Sequence, residues 1–328
     1  MEQNRRNFVR EAEAGSITSG AKAGTARPRG MARSLTLLTM RRYGQYRLGI
    51  NTDKGILDVA EAGRLLNMFA PATIDDLLQD EDGPSLNALV DVGLTSKAAH
   101  GAFIREEEVE YGPVVTHPEK IVCVGLNYRR HAKEVNLPIP NQPVLFNKYN
   151  NALSPHKGAI KLPLGIARKF DYEVELVIVI GKTAKDIGDA DALSYVAGYC
   201  TGNDFSARDL QFDTGGQWMV GKTPDLFAPL GLYLVTADQV NPDRLKIECR
   251  VNGEIRQSSN TDDFIFSTAQ IVSYISRHMT LKPGDVIFTG TPQGVILGYP
   301  RDKQVWLKAG DKIACSAERL GELRFELI

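Results

Sequence analysis

Two glutamates separated by one residue stand at the start of an apolar, strand-like run. Glu173 and Glu175 flank Val174 and are followed by the apolar stretch 176–180. Residues two apart on a strand point to the same side, so the two carboxylates should converge. An apolar run of this kind is typical of a strand that is covered on both faces, and like charges entering a core need compensation. A hard divalent cation such as Mg²⁺ or Mn²⁺ would supply it, whereas an exposed strand would leave the pair solvated.

A cation of this kind usually takes a third carboxylate, and Asp204 is the leading candidate. The segment Tyr195–Cys200 predicts a strand that runs into Gly202-Asn203-Asp204, so Asp204 would stand at a strand end. The pattern alone favours a different role, in which Asp204 caps a turn or helix that begins near Ser206. Both interpretations of Asp204 remain open at this point.

His131 and Glu134 are three residues apart and share a face if the segment 127–134 forms a helical turn. A carboxylate beside an imidazole orients the ring and raises its basicity, which suits a general base that activates water. The alternative is a solvated, basic helical turn in a mobile loop between Gly125 and Pro138.

Lys222 follows the aromatic and apolar stretch Gln217–Gly221, where a partly buried ammonium could stabilise an enolate or a carboxylate. The alternative for a single lysine is a position on the surface.

The segment Thr289–Pro292 ends an apolar strand in a tight turn that offers a hydroxyl and backbone donors. It is not followed by the helix that a phosphate loop requires.

In their order along the chain, these segments resemble the fumarylacetoacetate hydrolase superfamily from about residue 121 to 323. The resemblance is closest to the branch with a small N-terminal domain. The segments that carry it are Val124–Tyr128 with His131, Asp171–Leu176, Asn203–Gln211, Gly221-Lys222, Val251–Glu254 and Pro283–Ile287 leading into Thr289–Pro292.

The resemblance implies a mixed β and α+β fold in which a β-rich roll forms the catalytic domain. It also implies a homodimer and an Mg²⁺ or Mn²⁺ ion held by Glu173, Glu175 and Asp204. The family's lid pair corresponds to His131 and Glu134. Lys222 corresponds to the family's active-site lysine. The positions that correspond to its substrate contacts are Arg208, Gln217 and Thr291.

Three departures from the family pattern concern the substrate rather than the metal. Leu232 replaces a frequent proline, Phe205 replaces a smaller apolar residue or tryptophan, and the connection Val295–Trp306 is longer and more polar. The last of these leaves room for a biosynthetic role on a larger molecule.

The elements that position these residues divide the chain into three parts. Residues 1–34 are rich in Gly, Ala, Arg and Ser without a hydrophobic period, which predicts a disordered tail. Residues 35–115 predict a small α/β domain with a hairpin at 37–50 and helices near 60–69, 74–78 and 86–92. Residues 116–328 predict the β-rich domain, with strands at 121–124, 174–180, 233–235, 245–251 and 286–289 and helices at 190–195 and 268–276.

Composition narrows the classes of partner. The 39 basic and 40 acidic side chains give a net charge of -1, so no global field attracts nucleic acid or an anionic membrane. No window is long and apolar enough to cross a bilayer. The four cysteines lie far apart and predict buried reduced thiols. We expect a cytoplasmic protein, with twin-arginine export from the segment around Arg5-Arg6 as the alternative.

These inferences favour an enzyme that acts on a small 2-oxo acid or 1,3-dicarbonyl compound. Hydrolysis of a carbon–carbon bond in an acylpyruvate ranks first, with oxaloacetate decarboxylation or tautomerisation and isomerisation as alternatives, because one metal-stabilised enolate serves all of them. The rival from another class is a non-catalytic regulatory protein that kept the fold.

Overall fold

The computed structural model describes residues 27–328. The leader-like segment at Arg5-Arg6 and most of the predicted tail lie outside the described residues. The last residues of that predicted tail are packed: the Gly30 N–H donates to the Glu81 carbonyl at 2.7 Å, and the Ser34 N–H donates to the Asp238 carboxylate at 2.9 Å. These hydrogen bonds, together with packing of the Met31 side chain against the core, fix the position of the last residues of the predicted tail.

The first part of the chain forms a meander of strands followed by helices. Its elements are β1 (Thr36–Arg42), β2 (Gln45–Thr52), β3 (Gly55–Asp58), α1 (Val59–Leu66), α2 (Ile74–Gln79), α3 (Gly83–Thr95), β4 (Phe103–Ile104) and β5 (Glu110–Tyr111). The predicted hairpin and the three predicted helices are therefore present.

The second part is dominated by strands. Its elements are β6 (Ile121–Gly125), α4 (Arg129–Glu134), β7 (Val144–Lys148), β8 (Leu153–Ser154), β9 (Gly158–Ile160), β10 (Phe170–Asp171), β11 (Val174–Ile180), α5 (Asp189–Ala192), β12 (Val196–Asn203), β13 (Ser206–Ala207), α6 (Arg208–Phe212), α7 (Trp218–Lys222), β14 (Ala228–Pro229), β15 (Leu234–Thr236), β16 (Lys246–Val251), β17 (Glu254–Asn260), α8 (Thr268–His278), β18 (Val286–Phe288), β19 (Lys312–Ala317) and β20 (Glu322–Leu327).

One large sheet runs through both parts. Its strand order is β4-β3-β2-β1-β15-β12-β11-β18-β6-β7, with β5 beside β1, and a second sheet has the order β17-β16-β19-β20-β9. β1 pairs with β15 in antiparallel register. The predicted boundary near residue 115 therefore falls between segments that share a sheet, and the division at 115 stays an interpretation of the sequence.

β11 lies in the middle of the large sheet and has a hydrophobic layer on each face. Every residue of this strand is buried. Leu176 and Ile178 pack into one cluster of buried side chains, whereas Val177 and Val179 pack into the other. The alternation of a strand thus fills both layers and confirms the prediction of a doubly covered strand.

The structure also shows the state of the cysteines and the character of the helices. All four cysteines are buried free thiols. Among residues 27–328, no helix combines the length and apolar character needed to span a bilayer.

Candidate active site

Three carboxylates converge where β11 begins and β12 ends. Glu173, Glu175 and Asp204 each offer one oxygen within 4.8 Å of the others, and all three residues are buried. The two glutamates reach the same place because they are two residues apart on an extended chain.

Backbone pairing brings Asp204 to the glutamates. Val174 of β11 is paired with Asn203 of β12, and the Asp204 N–H donates to the Glu173 carbonyl at 2.9 Å. The helix α6 that follows begins after Ala207 and receives no side-chain cap. The interpretation of Asp204 as a helix cap is therefore wrong, because strand pairing points it into the carboxylate cluster instead.

Buried cations surround the cluster. Lys222 Nζ donates to Glu173 Oε2 and to Asp204 Oδ2, both at 2.7 Å. Lys148 Nζ lies 2.7 Å from Asp204 Oδ1, and Arg208 Nη2 donates to Glu173 Oε1 at 2.6 Å. The predicted convergence is therefore present, and the protein's own Lys148, Arg208 and Lys222 supply compensating charge that the sequence pattern had assigned to a divalent cation.

The two glutamates experience opposite electrostatic environments. Burial raises the pKa of the Glu175 carboxyl well above its usual range, and the charges of Asp204 and Glu173 raise it further. Burial opposes ionisation of Glu173 as well, but Arg208 and Lys222 outweigh it and hold the pKa of that carboxyl below its usual range. Lys222, for its part, has a raised pKa because its two carboxylate partners outweigh its own burial.

The turn after β18 supplies one backbone donor to the cluster. The Gly290 N–H donates to Glu175 Oε2 at 2.7 Å. Gly290 has φ of +102°, and a Cβ there would lie 2.8 Å from the Asn127 Cβ and 3.0 Å from the Val124 carbonyl oxygen. Only glycine fits this conformation and this close approach. The tight turn predicted at Thr289–Pro292 therefore positions a donor for the acidic cluster.

His131 and Glu134 lie on one face of α4, as their spacing predicts. His131 Nδ1 is 3.1 Å from Glu134 Oε2, and Glu134 Oε1 accepts a hydrogen bond from the Gly294 N–H at 2.8 Å. His131 is buried, with 7% of its surface exposed. The alternative of a solvated, basic turn is therefore wrong for His131.

The predicted substrate contacts have different environments. Arg208 lines the cleft, but its Nε donates to Asp171 Oδ2 at 2.9 Å and its Nη1 donates to Gln211 Oε1 at 3.0 Å. Thr291 also lines the cleft, and its hydroxyl donates to the Val174 carbonyl at 3.0 Å. Both side chains thus have structural partners in addition to any ligand.

Gln217 does not lie in the cleft. It is exposed, and its Nε2 donates to the Thr214 carbonyl at 3.2 Å. The next residue, Trp218, points inward and lines the cleft. Because α7 begins at Trp218, the two neighbouring side chains point in different directions, and this removes Gln217 from the site.

Two residues that complete the site were not predicted from the sequence. Lys148 is fully buried, and its ammonium donates to the carbonyls of Phe205, Lys222 and Phe227. Asp171 is buried and accepts the Ile296 N–H at 2.9 Å as well as the bond from Arg208. No local pattern marks Lys148, because a single lysine at the end of a strand is expected on the surface.

The cluster fits a hard divalent cation. It offers three carboxylates and no sulfur or nitrogen ligand among the converging groups, which is the donor set that Mg²⁺ and Mn²⁺ prefer. Asp204 Oδ1 is buried without a hydrogen-bond partner, because the ammonium of Lys148, 2.7 Å away, donates to three backbone carbonyls instead. An ion would satisfy this oxygen.

The carboxylates and the His131 imidazole, whose partner is Glu134, line one cleft. Its polar end contains the three carboxylates together with His131, Arg208, Lys222 and Thr291. Its other walls are apolar and are formed by residues such as Val135, Leu137, Phe146, Phe212, Trp218 and Leu297.

A family model and a related protein sequence both match this chain. The family described as "Fumarylacetoacetate (FAA) hydrolase C-terminal" matches residues 120–328. The rat protein named oxaloacetate tautomerase Fahd2a, mitochondrial, is 43% identical over 258 residues, which cover 78% of this chain and 80% of the rat protein.

Solved structures with related sequences share the architecture. The fumarylacetoacetate hydrolase from Exiguobacterium antarcticum is 32% identical with a TM-score of 0.76, over 90% of this chain and 99% of that one. The fumarylpyruvate hydrolase from Pseudomonas aeruginosa, solved with Mn²⁺ and pyruvate, is 34% identical with a TM-score of 0.59, over 67% of this chain and 97% of that one.

Proposed function

The chain belongs to the fumarylacetoacetate hydrolase family, and we propose that it is a divalent-metal-dependent enzyme that interconverts the keto and enol forms of a 2-oxo acid. The observation that supports this most directly is the convergence of Glu173, Glu175 and Asp204 beside the His131–Glu134 pair. The sequence pattern alone favours hydrolysis. The similarity to a protein named as a tautomerase favours the alternative.

Glu173, Glu175 and Asp204 would hold the ion in this proposal. When bound, Mg²⁺ or Mn²⁺ supplies positive charge at the oxygens of the 2-oxo acid and so favours the enolate over the ketone. Lys222 adds to this field. Its ammonium has three N–H groups, two of which bind Glu173 and Asp204, so the third is available to a substrate oxygen.

The His131–Glu134 pair would move the proton. If the Nδ1–H group of His131 donates a hydrogen bond to Glu134, the lone pair of Nε2 is free to accept a proton. Nε2 then removes a proton from the carbon next to the 2-oxo group, leaving the electron pair in the enolate, and returns that proton to the enolate oxygen. Ketonisation is the same transfer in reverse, and no bond between carbon atoms breaks.

A second candidate is hydrolysis of an acylpyruvate. The placement of the buried His131 imidazole in the cleft, with Glu134 as its partner, favours it, because the same imidazole could take a proton from water as the water attacks the acyl carbonyl. The carbon–carbon bond would then break towards a pyruvate enolate. The related hydrolase from Pseudomonas aeruginosa supports this candidate.

One assay separates these reactions. The protein is incubated with Mg²⁺, Mn²⁺ or EDTA and with oxaloacetate, acetylpyruvate or fumarylpyruvate, and the products are followed by proton NMR and enol absorbance. The proposal predicts metal-dependent enol–keto conversion of a 2-oxo acid without release of pyruvate. Pyruvate with acetate or fumarate would support hydrolysis, and pyruvate from oxaloacetate would support decarboxylation. Absence of turnover despite metal binding would favour a regulatory protein.

The family resemblance also leads us to propose a homodimer. The cytoplasmic location expected from the sequence stays a separate proposal. The mitochondrial location in the name of the rat relative applies to that protein. Light scattering of the purified protein tests the dimer, and fractionation of cells that produce the chain tests the location.

A further inference from the structure

The carboxylate of Glu134 is held by residues 294–298, which we call the Glu134 loop. At one end of this loop, the Gly294 N–H donates to Glu134 Oε1 at 2.8 Å. At the other end, a Cβ on Gly298 would lie 2.6 Å from Glu134 Oε2, so the glycine itself is in close contact with the carboxylate. Oε2 is also the oxygen that faces His131 Nδ1, at 3.1 Å. The position of the loop therefore sets the position of the partner of His131.

Asp171 fixes the middle of the Glu134 loop. Its side chain is fully buried, and its two oxygens accept the N–H of Ile296 at 2.9 Å and the N–H of Leu297 at 3.1 Å. The same oxygens accept the N–H of Tyr172 at 3.0 Å and the Nε–H of Arg208 at 2.9 Å. All of these partners are donors, and a carboxylate meets them with acceptors alone.

Tyr172 fixes the start of the same loop. Its hydroxyl donates to the Gly294 carbonyl at 2.9 Å, and the N–H of this glycine is the group that binds Glu134. The two neighbouring residues Asp171 and Tyr172 therefore hold the Glu134 loop at two points, immediately before the chain reaches Glu173 of the carboxylate cluster.

Asp171 could also influence the site through Arg208. That guanidinium has two further partners, because it donates to Glu173 Oε1 at 2.6 Å and to Gln211 Oε1 at 3.0 Å. Among the described residues, by contrast, the two N–H groups in the middle of the Glu134 loop donate to Asp171 alone. Loss of the Asp171 carboxylate should therefore displace the loop more than the guanidinium.

We propose that Asp171, assisted by the Tyr172 hydroxyl, is a positioning residue for proton transfer and acts through the Glu134 loop. This inference rests on the proposed function, in which His131 moves the proton. Asp171 is fully buried and lies outside the described lining of the cleft, so it acts through other residues and not by contact with the substrate.

The substitution Asp171→Asn tests the proposal with little change in shape. It replaces one oxygen by an NH₂ group, which cannot accept a hydrogen bond from the loop. We expect kcat for enol–keto conversion to fall about 10- to 100-fold, with little change in the affinity for Mg²⁺. A parallel loss of metal affinity would overturn the proposal, because Asp171 would then act through Arg208 on the carboxylate cluster.

A double-mutant cycle identifies the route. If Asp171 acts by positioning Glu134, the variant Asp171→Asn/Glu134→Gln should be no slower than Glu134→Gln alone, because the second change removes the group that the first one displaces. Losses that multiply in the double variant would show an independent route and would overturn the proposal.

Asp285→Asn is the matched control. Asp285 is also fully buried, accepts the N–H groups of Lys120 at 2.9 Å and Lys282 at 2.7 Å, and pairs with the Lys120 ammonium. It lies outside the described lining of the cleft. Both substitutions should lower the stability to urea, whereas only Asp171→Asn should slow turnover. An equal loss of kcat in Asp285→Asn would mean that Asp171 has a structural role alone.

Tyr172→Phe examines the same loop if Asp171→Asn does not fold. It removes one hydroxyl and keeps the buried ring, so kcat should fall severalfold, and it should fall no further when the change is added to Glu134→Gln. Unchanged turnover in every folded variant of the two residues would overturn the proposal.

An NMR signal from His131 tests the positioning without turnover. In protein with isotopically labelled histidine, the Nδ1–H group bound to Glu134 should give a downfield proton signal, assigned by its loss in His131→Gln. We expect this signal in Asp285→Asn and its loss in Asp171→Asn. If the wild type shows the signal but turns over no 2-oxo acid, the proposed function fails, and the signal in Asp171→Asn still decides the positioning. If the wild type is active and Asp171→Asn keeps the signal, only the inference about Asp171 fails.

Discussion

Glu173 and Glu175 are separated by one residue, yet the structure shifts their acidities in opposite directions. Arg208 and Lys222 bind Glu173 directly and lower its pKa despite its burial. Glu175 receives one backbone N–H, from Gly290, and burial together with its acidic neighbours raises its pKa. In the metal-free protein, Glu175 therefore holds a proton at pH values where an ordinary glutamate is ionised.

This difference predicts that metal binding depends on pH. The ion requires ionised Glu175, so binding displaces the proton, and the affinity for Mg²⁺ should rise with pH until the raised pKa of Glu175 is passed. Calorimetric titrations in two buffers with different heats of ionisation measure the proton release directly. Binding that releases no proton at neutral pH would show that Glu175 is already ionised.

Lys222 is predicted to serve the reaction more than the binding of metal. Lys222→Met removes the ammonium between Glu173 and Asp204, so kcat/KM should fall by about 10²–10³ because the developing enolate loses a buried charge. The affinity for Mg²⁺ should not fall, since the cluster becomes more negative. Steady-state kinetics and calorimetry on the same preparation test both statements, and a parallel loss of metal and activity would refute the assignment.

Gly298 leaves room for the partner of His131. A Cβ at Gly298 would lie 2.4 Å from the Glu134 carboxyl carbon, so Gly298→Ala should displace that carboxylate from the imidazole. We expect kcat to fall about 10- to 100-fold with unchanged metal affinity. Gly188→Ala is the matched control, because its Cβ would meet no atom within 4 Å. Full activity in Gly298→Ala would mean that Glu134 does not orient His131.

Lys148 is predicted to stabilise the fold around the site. Lys148→Met leaves three carbonyl groups and Asp204 without their buried cation, and it should lower the free energy of unfolding by about 3–5 kcal/mol. Mg²⁺ should reduce this loss, because the ion neutralises Asp204. Lys185→Met, at an exposed pair with Asp186, should cost about 0.5 kcal/mol or less. Urea unfolding with and without Mg²⁺ measures both variants, and similar costs would contradict the account.

Local patterns in the sequence predict the parts of the site that depend on spacing along the chain. Glu173 and Glu175 converge because alternate residues of a strand share a side, and His131 meets Glu134 because residues three apart share a face of α4. To predict such relationships, only the type of secondary structure must be known. For Glu173 and Glu175, the apolar run after Glu175 indicates a strand.

The parts that depend on distant segments could not be predicted in this way. Lys148 is buried because carbonyl groups near residues 205, 222 and 227 surround its ammonium, and a lysine seen alone in a sequence is expected on the surface. Gln217 lies outside the cleft, although it immediately precedes Trp218, which lines it. The direction of a side chain at the start of a short helix depends on the path of the chain, and composition does not reveal that path.

The carboxylate cluster is proposed as a metal site that is separate from the proton-transfer pair, and one variant of each tests this most directly. Glu173→Ala removes a carboxylate of the cluster, whereas Glu134→Gln removes a carboxylate that contacts His131 instead. Calorimetry with Mn²⁺ and the rate of enol–keto conversion are measured for both variants and the wild type. We predict that Glu173→Ala loses metal binding and turnover together and that Glu134→Gln binds Mn²⁺ normally but turns over slowly. Wild-type metal affinity and activity in Glu173→Ala would contradict the central claim.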